Sequence, residues 1–304
     1  MSCNRFSGSD GAFRIPLQSG FQVVPGLRNW NMSYNNPITS ESRSNTKGYQ
    51  VSWAGVKSVS GGFSCAGADG IIKIKDAGIF TGYTGGGIGT TGGRLYSVRA
   101  VITQATFNFD WQAKTCTSDY QFVSNYNAAG DELKIETPTA TTPAIITDSS
   151  APKSFRPSAS NPVQIITTDA TPKTSNICVQ NATLTFSASP NATADSCSGG
   201  WQVLMGLGAV NVTFSATCTC NDFEEIPDIG KCNILKIYTD ICDATKFWEF
   251  SYFVMAGKDN LTIDTVSANG ITYTINMTYS IAPCDCGSST TGKIIAPGNV
   301  LWTL

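Results

Sequence analysis

The feature that most constrains this chain is a phrase that occurs twice. "GYQVSWAGVKSVSGGFSCAG" begins at Gly48, and "GWQVLMGLGAVNVTFSATCTC" begins at Gly200. Other phrases repeat in the same order, with a nearly constant offset of about 153 residues. The matched residues include Tyr34 with Phe186, Val59 with Val212, Cys65 with Cys218, Phe107 with Leu261, and Phe122 with Ile275. This order and spacing predict one building block present twice.

Each copy of the block has the pattern of β-strands. "TFNFDWQ", "DYQFVSNY", "ATLTFSAS" and "ITYTINMTYSI" alternate apolar and polar residues, which places one row of side chains on a core and the other row toward solvent. Only 14% of the residues are charged, which also favours strands over exposed helices. The segment "CDATKFWEFSYFV" suits a short helix or a strand. The sequence therefore predicts a mainly β fold with two tandem homologous β-sandwich or barrel domains.

Composition predicts where the domains begin and end. We expect an N-terminal arm over 1–20, a first β domain over 21–136, an extended Thr/Pro-rich connector over 137–176, a second β domain over 177–286, and a C-terminal docking tail over 287–304. The first twenty residues lack the apolar run of a signal or anchor. No later stretch approaches the roughly 18 consecutive apolar residues of a membrane-spanning helix, so we expect no membrane insertion.

Catalytic residues are hard to find in this chain. It has no histidine, which removes the commonest general base and the commonest metal ligand. Asp110 and Asp264 occupy similar places in the two blocks, where solvated side chains on strands are the simpler interpretation. The acidic loop over 222–228 lacks calcium-loop spacing, and the glycines over 82–93 lack the Lys-Ser/Thr of a phosphate loop. We predict that the protein is not an enzyme and has no cofactor and no metal site.

Eleven cysteines suggest disulfide bonds, and the odd number leaves at least one thiol unpaired within the chain. "CTC" and "CDC" could together form a four-sulfur metal site, but zinc ligands are usually two to four residues apart, so disulfides are favoured. Buried thiols remain an alternative for some of them. The disulfide candidates lie in the second half: Cys178, Cys197, Cys218, Cys220, Cys232, Cys242, Cys284 and Cys286.

Charge and sequons limit the class of function. A formal net charge of -2 and no Lys/Arg-rich segment argue against gripping nucleic acid through its phosphates. Six Asn-x-Ser/Thr sequons are present, close to what this composition gives by chance. They leave open an alternative: a secreted, disulfide-bonded, N-glycosylated β-sandwich protein acting in adhesion or as an extracellular filament. Sugar binding through aromatics such as Trp53 and Trp201 is a weaker hypothesis.

The order of phrases in the first block resembles the tail tube proteins of long-tailed bacteriophages. The residues that carry the resemblance are Trp30, Gly48, Ala54, Gly55, Ala100, Ile102 and Phe122. The resemblance covers Leu27 to Asn127 and, more faintly, Val179 to Ile281. It consists of patterns of residue type rather than invariant letters.

The resemblance implies a mechanical function in the virion, with assembly in the host cytoplasm. Tube proteins of this kind form sixfold rings, so a chain with two such domains needs only three copies per ring, which gives a pseudo-hexamer. Rings would stack head to tail into a tube. The implied partners are other copies of the chain, a length-determining protein and, where the tail is contractile, a sheath. Double-stranded DNA would pass through without sticking, and disulfides would staple the second domain.

Overall fold

The structure is a computed structural model. The structure describes residues 12–17, 20–24, 26–42, 49–67, 70, 72–84, 93–127, 131–137, 163–168, 170–195, 197–220, 232–239, 246–256, 262–266, 272–283, 293–297 and 300–302. The side chains of residues 17, 20–23, 218–220, 232, 252–256, 262–266, 272–283 and 300 are excluded from this description, although their backbone is included.

The described residues form strands and turns, with no helix among them. The twenty strands are β1 (Ala12–Leu17), β2 (Gly20–Val23), β3 (Leu27–Asn35), β4 (Ile38–Ser42), β5 (Gln50–Ala54), β6 (Ser58–Ala66), β7 (Ala77–Thr84), β8 (Arg94–Asp110), β9 (Thr115–Ser124), β10 (Lys134–Glu136), β11 (Val163–Thr167), β12 (Thr174–Ile177), β13 (Val179–Thr193), β14 (Val203–Cys220), β15 (Cys232–Tyr238), β16 (Phe247–Ala256), β17 (Thr262–Val266), β18 (Thr272–Pro283), β19 (Lys293–Ala296) and β20 (Val300–Trp302). Eighteen of them join in one curled sheet, and β4 and β5 form a separate hairpin. The mainly β fold is therefore as the alternation predicted.

Antiparallel pairing connects the strands of the first half in the order β2-β1-β7-β8-β9-β6-β3, with β10 added beside β8. In the second half the order is β12-β11-β15-β16-β18-β14-β13, with β19 added beside β16 and β17 beside β18. Each strand of the second series thus takes the place of one strand of the first.

Strand registers agree with the residue pairs seen in the sequence. Tyr34 lies opposite Val59 on β3 and β6, and Phe186 lies opposite Val212 on β13 and β14. Both pairs of strands carry an irregularity in register at the same place, next to the position opposite the repeated cysteine. A bulge adds one residue on one strand and bends it locally, so the two halves bend alike there.

The last strand of the repeat differs from the alignment made on sequence. That alignment pairs Phe122 with Ile275. In the structure Cys65 lies opposite Ser118 and Cys218 lies opposite Ile275, so Ile275 corresponds to Ser118, four residues from the predicted match (118 against 122). An alternating pattern matches itself after any even shift, so periodicity could not choose between the two alignments.

The two halves share one sheet and one core. Strand β13 of the second half pairs with β8 of the first, from Asn181 opposite Asp110 to Ser187 opposite Gln104. Four large side chains meet behind this junction, with ring centroids 4.5 to 6.1 Å apart: Phe107, Phe186, Trp248 and Trp302. All four are at most 3% exposed. Apolar burial of this size is the main source of stability in such a fold.

Three segments outside the predicted domains contain strands. Strand β1 lies in the predicted arm and pairs with β7, while β11 and β12 lie in the predicted connector and pair with β15 and with each other. Val163 and Ile165 are buried there, so this part of the predicted connector contributes to the core. The C-terminal tail docks as β19 and β20, and the segment "FWEFSYFV" lies in β16 rather than in a helix.

Gly61 on β6 allows a close contact between strands. A Cβ at this position would meet the carbonyl oxygen of Asn31 and lie 2.6 Å from the Phe122 ring. We therefore expect Gly61→Ala to lower the free energy of unfolding by about 1 to 3 kcal/mol, because backbone must shift to make room. Gly206→Ala is the matched control, since a Cβ there meets nothing within 4 Å. Urea titration measures both, and equal effects would contradict this assignment.

Candidate functional site

The strongest candidate site is a polar face of the curled sheet that crosses the junction between the halves. Side chains alternate along each strand, so residues aligned across neighbouring strands share one face. The registers align one row of six residues across six strands: Asn29, Ser64, Asp119, Thr106, Thr185 and Thr213. Parallel rows contain Asn31, Gly62, Gln121, Gln104, Ser187 and Asn211; Thr117, Asn108, Thr183 and Ser215; and Thr115, Asp110, Asn181 and Thr217. We call these four rows the polar face.

Every residue of the polar face is at least partly exposed, whereas the residues between them on the same strands form the core. Phe107, Phe109, Leu184 and Phe186, for example, are at most 1% exposed. The buried side of these strands therefore belongs to the core that the two halves share. On the other side they present a surface to solvent.

The charge on the polar face is low and of one sign. The four rows contain two carboxylates, Asp110 and Asp119, and no lysine or arginine. Asp110 Oδ1 accepts a hydrogen bond from the backbone N–H of Ala113 at 2.7 Å, and Asp119 Oδ2 accepts one from the Asn108 amide at 2.8 Å. Elsewhere the rows present hydroxyls, amides and one glycine. Such a surface can exchange hydrogen bonds with water but offers no cation to a phosphate.

Side-chain hydrogen bonds continue across the junction of β8 and β13. The Thr183 hydroxyl donates to Asn108 Oδ1 at 3.2 Å, and the Thr185 hydroxyl lies 3.4 Å from that of Thr106. Cross-strand pairs of this kind stabilise sheets by a few tenths of a kcal/mol to about 1 kcal/mol each. The polar face is therefore one continuous surface across the two halves of the chain.

At the β3 end the polar face contains a shallow groove of about 410 Å³. Asn29, Asn31, Asp119 and Gln121 contribute to its lining. All four are exposed, so the groove is part of the open surface rather than an enclosed cavity. It brings together no nucleophile and base that could act as a catalytic pair.

The structure places only one of the two aspartates, Asp110 and Asp264, that occupy similar places in the two blocks. Asp110 is partly exposed on β8, and Asp264 lies on β17, where side chains are not described. In the part of the chain that the structure describes, no group of three or more His, Cys, Asp or Glu could hold a metal ion. The acidic loop and most of the glycine cluster, residues 85–92, lie outside the described residues.

One carboxyl outside the polar face has a shifted pKa. Burial raises the pKa of the Asp76 carboxyl. Two smaller effects of Lys73 act to lower this pKa: its backbone N–H donates to Asp76 Oδ2 at 2.7 Å, and its side chain is positively charged. Asp76 lies in the turn before β7 and takes no part in the four rows.

The disulfide candidates are only partly visible. Cys178 and Cys197 are exposed free thiols. Cys218, Cys220 and Cys232 lie on β14 and β15, where their side chains are not described, and Cys242, Cys284 and Cys286 lie outside the described residues. Disulfide bonding among the eight stays a prediction. No helix among the described residues is long and apolar enough to cross a membrane.

No protein-family model matches the chain, and no curated protein matches it. Among solved structures, it is similar to a chain from the tail of an empty GTA particle, determined by helical refinement with C6 symmetry. The match has 16% sequence identity and a TM-score of 0.31, and covers 43% of this chain and 98% of the other. A likeness at this level assigns neither fold nor function to the chain.

Sequence reasoning did not find the polar face. Its signal is present in the exposed positions of the alternating strands, which carry Asn, Gln, Ser and Thr where other proteins carry Lys and Glu. Recognising one surface also requires knowing that β13 lies beside β8, and the alternation does not specify which strands are neighbours.

Proposed function

We propose that the chain is a structural subunit of a bacteriophage tail tube, and that the polar face lines the bore through which double-stranded DNA passes. The observation that carries the proposal is the absence of lysine and arginine from all four rows of this face. Three copies form a ring and rings stack into a tube. Other tail proteins complete the assembly: a length-determining protein and, where the tail is contractile, a sheath. The protein acts mechanically, as part of the virion, and not as an enzyme.

A bore for DNA must not bind the DNA. Non-specific affinity for duplex DNA comes from lysines and arginines that neutralise phosphates and release counterions. Hydroxyls and amides keep a hydrated surface, and the two carboxylates repel phosphate at short range. The polar face has this composition across at least six strands.

The repeated order of strand pairing supports two tandem domains in one chain. Each half presents a corresponding set of strands, so three chains supply six similar domains around a ring. A closed ring removes exposed sheet edges, which otherwise promote uncontrolled aggregation. Unlike top and bottom surfaces then allow rings to stack in one direction.

Self-assembly tests this proposal. We expect purified protein to sediment as a ring of three 32.2 kDa chains and larger stacks, and to show hollow rings in negative-stain electron microscopy. The driving force is the pairing of sheet edges that the single chain leaves open. A strictly monodisperse monomer at high protein concentration would overturn the proposed function.

The second candidate, a secreted N-glycosylated filament or adhesion protein, is supported by exposed sequon asparagines at Asn31, Asn181, Asn191 and Asn211. Asn31, Asn181 and Asn211 belong to the polar face, and glycans there would fill the proposed bore. The two functions therefore exclude each other at these positions. Intact-mass measurement of protein from its native source distinguishes them: an unmodified mass supports the tube, and added glycan masses support the second candidate.

A further inference from the structure

Six strands of the main sheet pair with only one other described strand: β2, β3, β10, β12, β17 and β20. The edges of β3 and β17 are the relevant ones, because their counterparts in the other half, β13 and β8, pair with each other within the chain. Strand β3 pairs only with β6, and β17 pairs only with β18. The nine residues of β3, "LRNWNMSYN", include no lysine or proline, the residues that commonly protect an edge from pairing. An unprotected edge of this length is a ready site for a further strand.

Within one chain, the counterparts of these two strands already pair with each other. Strand β13, which corresponds to β3, pairs with the end of β8, and Leu184 lies opposite Phe107. Strand β17 corresponds to that same end of β8. Following the residues that lie opposite each other from strand to strand shows this in both halves. In the first half Cys65 lies opposite Ser118 and Ser118 opposite Phe107; in the second half Cys218 lies opposite Ile275 and Ile275 opposite Ile263. The second half thus has a free counterpart of the edge that β13 occupies in the first.

We propose that β3 of one copy pairs antiparallel with β17 of a second copy, in the register that places Met32 opposite Ile263. This register extends from Asn29 opposite Val266 to Ser33 opposite Thr262. It reproduces between chains the junction that β13 and β8 form within one chain. The inference rests on the proposed ring assembly and names the surface that closes the ring.

Trp201 makes a second contact between the two halves, and the repeat gives this residue a counterpart, Tyr49. Trp201, in the turn between β13 and β14, has its ring centroid 5.9 Å from that of Tyr34. The residues on either side of Trp201 bond to Lys57: the Lys57 N–H donates to Gly200 O at 2.7 Å, and the Gln202 N–H donates to Lys57 O at 2.9 Å. Tyr49 corresponds to Trp201 and lies at the far end of the β4–β5 hairpin, where it is 78% exposed. In the proposed interface Tyr49 packs on the second half of the neighbouring copy. An isolated two-stranded hairpin is marginally stable alone, so this contact also gives it support.

Backbone hydrogen bonding identifies which amides the open edge presents. Trp111 N donates to Gln180 O at 2.9 Å, which makes this a hydrogen-bonded pair of the β8–β13 ladder. Hydrogen-bonded pairs recur at every second residue of an antiparallel ladder. Leu184 is four residues after Gln180, so its N–H also points toward β8. Its counterpart on β3 is Met32. The Met32 N–H therefore points away from β6 toward the open edge.

Met32→Pro tests the interface directly. Proline removes the N–H that points to the open edge. All N–H donors of the β3–β6 ladder are kept, and edge strands tolerate proline in such a position. Met32→Ala is the matched control, because it loses the same side chain and keeps the N–H. We expect Met32→Ala to form rings and Met32→Pro to remain a monomer, when both have native circular dichroism and similar melting. Rings from folded Met32→Pro would overturn the inference.

Two further measurements separate this inference from the function it rests on. Tyr49→Ala should raise the protein concentration needed for half-assembly about 5- to 30-fold, a typical effect for a buried tyrosine at an interface. A photo-crosslinking amino acid at Asn31 should label the 262–266 segment of another copy, identified by mass spectrometry. Rings whose cross-links lie elsewhere would overturn the inference and leave the proposed function intact. Wild-type protein that forms no rings would overturn both.

Discussion

Trp248→Ala is expected to lower the free energy of unfolding by about 3 to 5 kcal/mol, the usual cost of removing a large aromatic from a close-packed core. Trp248 is fully buried, and its ring centroid lies 4.7 Å from that of Phe107 and 4.9 Å from that of Trp302. The substitution leaves a cavity where the two halves meet. Urea unfolding of dilute, unassembled protein, followed by tryptophan fluorescence and circular dichroism, measures the loss.

The C-terminal strand should loosen in the same variant. Trp302 donates its indole N–H to Gly70 O at 2.8 Å, and Lys73 Nζ donates to Leu301 O at 2.9 Å, so β20 is attached to the first half as well as the second. Tyr49→Ala is the control, because an exposed side chain usually contributes less than about 0.5 kcal/mol to stability. Equal losses in the two variants would contradict a shared core at the junction.

Three lysines on one row of the polar face should give that face an affinity for DNA that the proposed bore lacks. Thr106→Lys, Thr185→Lys and Thr213→Lys place three cations side by side on β8, β13 and β14. Each phosphate neutralised contributes a slope of about −0.9 to the logarithm of affinity against the logarithm of salt concentration. We expect tight binding of a short duplex at low salt, with a salt dependence of up to about −2.7 for each chain.

The matched control adds the same charge elsewhere. Thr171→Lys, Thr174→Lys and Asn176→Lys use exposed positions on or beside β12, outside the four rows. Fluorescence anisotropy across a salt titration compares both triple variants with the wild type. We expect no binding by the wild type and only weak binding by the control. Steeply salt-dependent binding of DNA by the wild type, or equal binding by both variants, would contradict a non-binding bore.

Local sequence patterns predicted the strands well because each alternating segment carries its own signal. "DYQFVSNY" forms β9 with Tyr120 and Phe122 buried and Gln121 exposed, as the alternation requires. The repeat also matched Tyr34 with Phe186 correctly, since a constant offset runs through both phrases. The alignment is wrong by two residues at β17, where Phe107 corresponds to Ile263 rather than Leu261, and by four residues in the last strand. Both errors arose because alternating segments of similar composition match after any even shift.

The polar face and the core of the junction depend on long-range pairing that no local pattern contains. Phe107, Trp248 and Trp302 are far apart in sequence, and each has the ordinary pattern of a strand residue. Their contact follows from β13 lying beside β8 and from the C-terminal strands folding back onto β16. For the same reason, "VQIIT" in the Thr/Pro-rich connector was not predicted to contribute to the core, although it forms β11 against β15.

Electron cryomicroscopy of assembled wild-type protein, at a resolution that identifies which sheet face surrounds the bore, tests whether the polar face lines a tube. We expect a hollow ring of three chains with pseudo-sixfold symmetry, in which Asp119, Thr106 and Thr185 face the bore. A tube with these residues on its outer surface, or a solid filament, would contradict it.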